Sequence, residues 1–254
     1  MSPTLYNFMG NRISKGNRKE GHAPTFKGKK ATWAFTLVEL LAVIAIIGLL
    51  AGIVLGTSGI AVEKSRLSRI RAEKEKLVTA IEDYKSVMGT YPPDNQDTTK
   101  YDLSNTNDYH MRCGKNPLFY ELSGCTFDRS GGSKGTFTTQ NKGESVPVDD
   151  LKNAFGVKGI DNSARNKKDI TFRGLTFKPN EFAEVKDPVN VQILVTPLPG
   201  PWDKEFPAKA ANKNLNPWFY DASSTNRHNL ETYDLWTEYT SRDSTNGIKT
   251  IGNW

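Results

Sequence analysis

The chain has 254 residues, enough for one or two ordinary domains, and its 24% charged and 37% hydrophobic side chains match a soluble protein on average. The formal charge of +6 would point to nucleic acid, but its position excludes that reading. Residues 1–34 hold Arg12, Lys15, Arg18, Lys19, Lys27, Lys29 and Lys30 against Glu20 alone, so residues 35–254 carry no net charge and no basic footprint. Two cysteines and three histidines, widely scattered, are too few for a zinc site.

The chain opens with this basic leader, in which Met9 is a second candidate start. Residues 35–55 then read FTLVELLAVIAIIGLLAGIVL, with Glu39 the only charge. At 1.5 Å per residue the run is long enough for a hydrocarbon core of about 30 Å, so the expectation is a membrane-crossing helix. It is too long for a secretory h-region and no A-x-A-like site follows it. The basic leader favours a cytoplasmic N-terminus, a signal that Lys64, Arg66, Arg69 and Arg71 oppose from the other side. A carboxylate within an apolar run costs about 2.5–3.5 kcal/mol on insertion scales, so Glu39 invites a functional explanation.

No proline interrupts residues 35–91, and the helix is predicted to continue. Leu67, Ile70, Leu77, Ile81, Tyr84 and Met88 recur at three-, four- and seven-residue spacings as one apolar stripe. Gly89 and the following Tyr91-Pro92-Pro93 end it. Four segments follow from this pattern: a leader at 1–34, a transmembrane half-helix at 35–57, an amphipathic half at 58–89 and a soluble domain at 90–254.

In that domain Cys113 and Cys125 either close a short loop, worth about 3 kcal/mol on the chain-entropy model, or remain thiols. Residues 128–143 (DRSGGSKGTFTTQNKG) read as a flexible loop. Short helices are predicted at 116–122 and 148–155, the second with Asp149 and Asp150 in its first turn. Strands are predicted at 169–177 (DITFRGLTF) and 189–195 (VNVQILV). A last hairpin pairs 232–240 with 248–254 around a turn at 241–247. The expected fold is therefore α+β: the long helix packed on a small antiparallel sheet of about four strands. Trp202, Trp218, Phe219, Tyr220, Tyr233 and Trp236 are expected in its core. His110 and His228 are expected in surface loops, and no nucleophile motif or phosphate-binding loop accompanies them, so no enzymatic activity is expected.

The stretch Ala34-Phe35-Thr36-Leu37-Val38-Glu39-Leu40-Leu41 resembles the processing site of type IV prepilins and type II secretion pseudopilins. The resemblance implies cleavage between Ala34 and Phe35 by a prepilin peptidase and N-methylation of Phe35. It also implies pairing of Glu39 with a neighbouring subunit's terminal ammonium during assembly. Ala34 stands where the family usually has glycine, and the leader is longer than most. YKSVMGTYPPDN (84–95), LPGPWDKEF (198–206), YDLW (233–236) and IGNW (251–254) resemble parts of the major pseudopilins. Those proteins often bind calcium after the YDL segment. Here the candidates are Ser241, where the family has aspartate, and Asp243, and such a set is short of the carboxylates calcium wants.

The resemblance implies a structural subunit of a secretion pseudopilus. Its expected partners are the prepilin peptidase, copies of itself, other pseudopilins and an inner-membrane assembly platform, with no nucleic acid and no cofactor. The expected location is the bacterial inner membrane, with the C-terminal domain in the periplasm or outside the cell. A pilus subunit and a membrane-tethered binding domain are the alternatives.

Overall fold

The computed structural model describes residues 35–254 except 131–133, 142, 167, 187, 197–199, 203–215 and 241–246, and leaves aside the side chains of 54–60. The leader lies outside the described residues. The chain divides into two compact units, 1–55 and 56–254.

Helix α1, Leu37–Met88, covers 52 residues and belongs to both units. In the second unit its apolar stripe is buried as predicted. Ile70, Leu77, Ile81 and Tyr84 are inaccessible, with Leu67, Val78 and Met88 packed at the margin. Each such side chain contributes about 1.5–3 kcal/mol. The helix stops where Gly89 takes a φ of 82° and its N–H reaches back to the Lys85 carbonyl.

The rest of the second unit is built from short elements. Helices α2 (Thr106–Gly114), α3 (Leu118–Ser123) and α4 (Val148–Phe155) alternate with ten strands in three sheets, counted among the described residues. The first sheet has the order β3-β2-β1-β4, from Ser145–Pro147, Thr136–Thr139, Cys125–Asp128 and Ser163–Ala164. The second is β5-β6-β7, from Phe182–Lys186, Asn190–Thr196 and Asn216–Pro217. The third is β10-β9-β8, from Ile248–Gly252, Asp234–Thr240 and Phe219–Asp221.

The expected architecture needs correction in two respects. One antiparallel sheet of about four strands is replaced by three small sheets, and β1 pairs with β4 in parallel. The expected transmembrane half-helix is likewise overturned: among the described residues no helix is long and apolar enough to cross a membrane. The described apolar side chains of α1's first part end at Ile53.

Why the single sheet fails is visible at 169–177, which forms no strand despite its apolar alternation. A ladder partner is replaced there by one side chain. Asn162 donates to the Phe172 carbonyl (2.9 Å) and accepts from the Phe172 N–H (3.1 Å). Gly174 presses so close to the 122–123 backbone that a Cβ would lie 1.9 Å from the Leu122 carbonyl oxygen. Ile170, Phe172 and Phe177 are still buried, so the apolar pattern records burial without a strand.

Other expectations hold. α4 spans 148–155 and stops at Gly156, φ 67°. α3 starts two residues after the predicted helix, and β6 overlaps the predicted 189–195 strand. The terminal hairpin forms, with Thr240 opposite Ile248 and Trp236 opposite Gly252. The expectation of a flexible loop over 128–143 is corrected, because Thr136–Thr139 within it forms β2 and pairs with both β1 and β3.

Candidate functional site

In the first unit the site implied by the sequence is a helix start. Thr36 precedes the first helical residue, and its carbonyl accepts the first intrahelical bond from Leu40. Its hydroxyl accepts from the Glu39 N–H (3.2 Å), while Glu39 Oε2 accepts from the Thr36 N–H and hydroxyl, both at 2.9 Å. This reciprocal arrangement is a capping box: Ser or Thr at the cap, Glu three residues on. It satisfies donors that a helix end leaves orphaned. Sequence reasoning singled out Glu39 for its charge and overlooked its partner, although the T-x-x-E spacing was there to be read.

Around this cap, eleven large apolar side chains from Phe35 to Leu50 are exposed, from 47% at Val43 to 81% at Phe35. They occur on every side of the helix. Burying each would yield about 1.5–3 kcal/mol, and an apolar surface of this extent marks an interaction site. Ala34 lies outside the described residues, so the proposed scissile bond is seen from its Phe35 side only.

The remaining candidates fall apart from one another. Cys113 and Cys125 are buried, unbridged thiols, and burial pushes both up in pKa. Cys125 Sγ points to the Tyr120 carbonyl at 3.6 Å. Ser241 and Asp243 lie outside the described residues. Among the described residues no group of three or more His, Cys, Asp or Glu could hold a metal ion. Of the late aromatics, Trp218, Phe219, Tyr220, Tyr233 and Trp236 are core residues as expected, and Trp202 is half-buried.

What sequence reasoning missed is a set of buried polar clusters. Asp94 Oδ2 accepts from the Ser223 hydroxyl (2.7 Å) and from the N–H groups of Ala222 and Ser223. Arg112 lies beside it, donating to the Asn95 carbonyl (2.7 Å) and the Ser223 hydroxyl (2.8 Å). Burial raises the Asp94 carboxyl. Burial also opposes ionisation of neighbouring Asp221, but donation from Ser224 and Tyr109 outweighs it and holds that group low.

A second cluster surrounds Glu121 on α3, which accepts from the Tyr84 hydroxyl (2.8 Å) and the N–H groups of Asp161 (2.8 Å) and Asn162 (3.0 Å). Burial pushes it up to about 7 against those three bonds. Glu73 on α1 takes the Trp218 indole N–H at 3.1 Å, and burial pushes it up to about 7 as well.

The third cluster overturns the expectation for His110, which sits on α2 instead of in a loop. It bonds Glu238 of β9 and stacks on Trp202, ring centres 4.6 Å apart. His228 is in a turn, as expected, and lies flat against Trp254 at 4.1 Å. These clusters span up to 145 positions of sequence, so no local motif announces them. They tie helices to sheets.

Comparison of the chain with protein-family models, with curated proteins and with solved structures gave no match.

Proposed function

We propose that the chain is a structural subunit of a type II secretion pseudopilus, processed between Ala34 and Phe35 and assembled through its N-terminal helix. The observation that carries the reading is the helical segment from Leu37 to Leu50, apolar on all sides, exposed, and started by a cap that contains its single carboxylate. Such a surface is satisfied by a collection of like helices, and the prepilin-like motif lies at its start. On this proposal the subunit resides at the bacterial inner membrane with its C-terminal domain in the periplasm. There it meets the prepilin peptidase, other pseudopilins and the assembly platform. No catalytic group or cofactor enters the scheme.

Glu39 then has two roles. Within its own chain it closes the capping box. In the filament, once the Ala34–Phe35 bond is hydrolysed, its charge faces the ammonium of a neighbour, and pairing offsets the desolvation of both.

The two roles separate by substitution. Glutamine at the third helical position still completes a capping box, so Glu39→Gln keeps the cap and removes the charge. Thr36→Val removes the capping hydroxyl and keeps the charge. Filament assembly in the native host is expected to fail with Glu39→Gln and to persist with Thr36→Val. The reverse result would reduce Glu39 to a helix cap. Intact-mass and N-terminal peptide mapping test the processing itself: the expected chain starts at Phe35 and is heavier by one methyl group. A chain cut elsewhere would defeat the proposal.

A further inference from the structure

The ring of His110 is placed so that both of its nitrogens meet acceptors. Nδ1 lies 2.8 Å from the Thr106 carbonyl, and Nε2 lies 2.9 Å from Glu238 Oε1. A carbonyl cannot donate, and an ionised carboxylate cannot either. A neutral imidazole has one N–H, so it can satisfy one of these contacts and turns a lone pair toward oxygen in the other. The doubly protonated ring satisfies both. Glu238 completes the arrangement with its other oxygen, which accepts from the Trp202 indole N–H at 2.8 Å. Trp202 in turn stacks on the His110 ring, 18° from parallel. One carboxylate thus joins α2, the turn at 200–202 and β9.

The surroundings leave Glu238 as the controlling charge. Phe219 of β8 and Trp236 of β9 stand edge-on to the imidazole at 5.5 and 6.1 Å and are uncharged. Tyr109, the titratable neighbour on α2, lies edge-on at 5.9 Å and donates its hydroxyl to Asp221. From this geometry we infer that protonated His110 is a latch, which fastens α2 and Trp202 to the C-terminal sheet and is released when the ring loses a proton. Burial by itself would lower the His110 pKa, but bonding to Glu238 and Thr106 outweighs it and leaves the value raised. Glu238 is held low by the same pairing, against its burial. A raised histidine stabilises the folded state fully below the unfolded value of about 6.5, and that contribution is lost as pH rises through the folded value.

The test is nitrogen NMR of the full chain in detergent, with histidine and tryptophan ring nitrogens labelled and signals assigned from His110→Gln and Trp202→Phe. Both His110 nitrogens are expected to carry protons below about pH 6.5, with a midpoint above the ordinary imidazole value. The Trp202 indole signal is expected to shift with that same midpoint. In Glu238→Gln the midpoint should fall below the ordinary value, because burial then dominates. A midpoint at or below the ordinary imidazole value would overturn the latch, as would a Trp202 signal indifferent to the His110 titration or an unmoved midpoint in Glu238→Gln. If Glu238→Gln does not fold, the two wild-type readings decide the matter.

Discussion

The segment 35–53 and the unit at 56–254 use side chains in opposite ways. In the first, large apolar residues are exposed and the one carboxylate is spent on the helix start. In the second, carboxylates such as Asp94, Glu121 and Glu238 are buried among donors, and aromatic residues fill the space between them. The second unit buries most of its large apolar side chains and pairs most of its buried polar groups internally; among the described residues Arg112 Nη1, Gln192 Oε1, Asn216 Oδ1 and Arg227 Nε are buried without a partner. The first meets only its polar requirements. On the proposed function other molecules cover that apolar surface, and substitutions should divide accordingly: stability effects in one unit, assembly effects in the other.

The largest effect should come from Trp218→Ala. Trp218 is fully buried and bonded to Glu73, and truncating such a side chain costs about 3–5 kcal/mol. Ile47→Ala, in the exposed helix, should leave denaturant unfolding of the domain within about 0.5 kcal/mol of wild type. Equal shifts in the two variants would erase the contrast.

Next come two glycines treated identically. Gly174→Ala drives a methyl group into the Leu122 carbonyl and should cost about 3 kcal/mol in the same measurement. Gly48→Ala meets nothing within 4 Å and sits in a helix interior. It should raise the helicity of its segment, worth about 0.5–1 kcal/mol. A neutral Gly174→Ala would mean that the 169–177 segment can move away from α3.

A pH series sharpens the comparison further. Glu73 and Glu121 are raised from 4.5 to about 7, so the folded unit binds more protons than the unfolded chain between those values. Their stabilising contribution is complete below about 4.5 and is lost as pH rises toward 7. Unfolding free energy of the domain should therefore decline across that window, and Glu121→Gln should flatten part of the decline. Its absolute stability also falls, since an amide nitrogen cannot accept one of the bonds that Glu121 now receives. An unchanged slope in Glu121→Gln would show that this carboxyl stays ionised.

The legible parts of the fold were those with a local period or a local stop. Ile70, Leu77, Ile81 and Tyr84 mark their face by spacing, Gly89 ends its helix, and the terminal hairpin follows from its strand pattern. α2 was missed because Arg112 is buried through tertiary bonds, in a segment whose composition is polar. The stretch 169–177 was misread because alternation reports which residues are buried, whereas Asn162, a residue outside the run, decides how its backbone is satisfied. At the candidate site, Glu39 was legible as an unusual charge. His110 could not be paired with Glu238, 128 positions away, by any local rule.

The smallest expected effect bears most directly on how the two units differ. Removing a Ser or Thr cap costs about 1 kcal/mol of helix stability. In Thr36→Val that loss should stay within the first turn, because it removes the side-chain acceptor of the Glu39 N–H and one of two donors to Glu39 Oε2. Hydrogen exchange of the full chain in detergent should show faster exchange at the amides of 37–40 and no change from residue 70 onward. Glu39→Gln should leave that first turn nearly as protected as wild type, since the glutamine oxygen still accepts from the Thr36 N–H. If both variants expose the first turn equally, the cap depends on the charge of Glu39, and a loss of assembly in Glu39→Gln would have to be read through the frayed helix instead of through pairing with a neighbour.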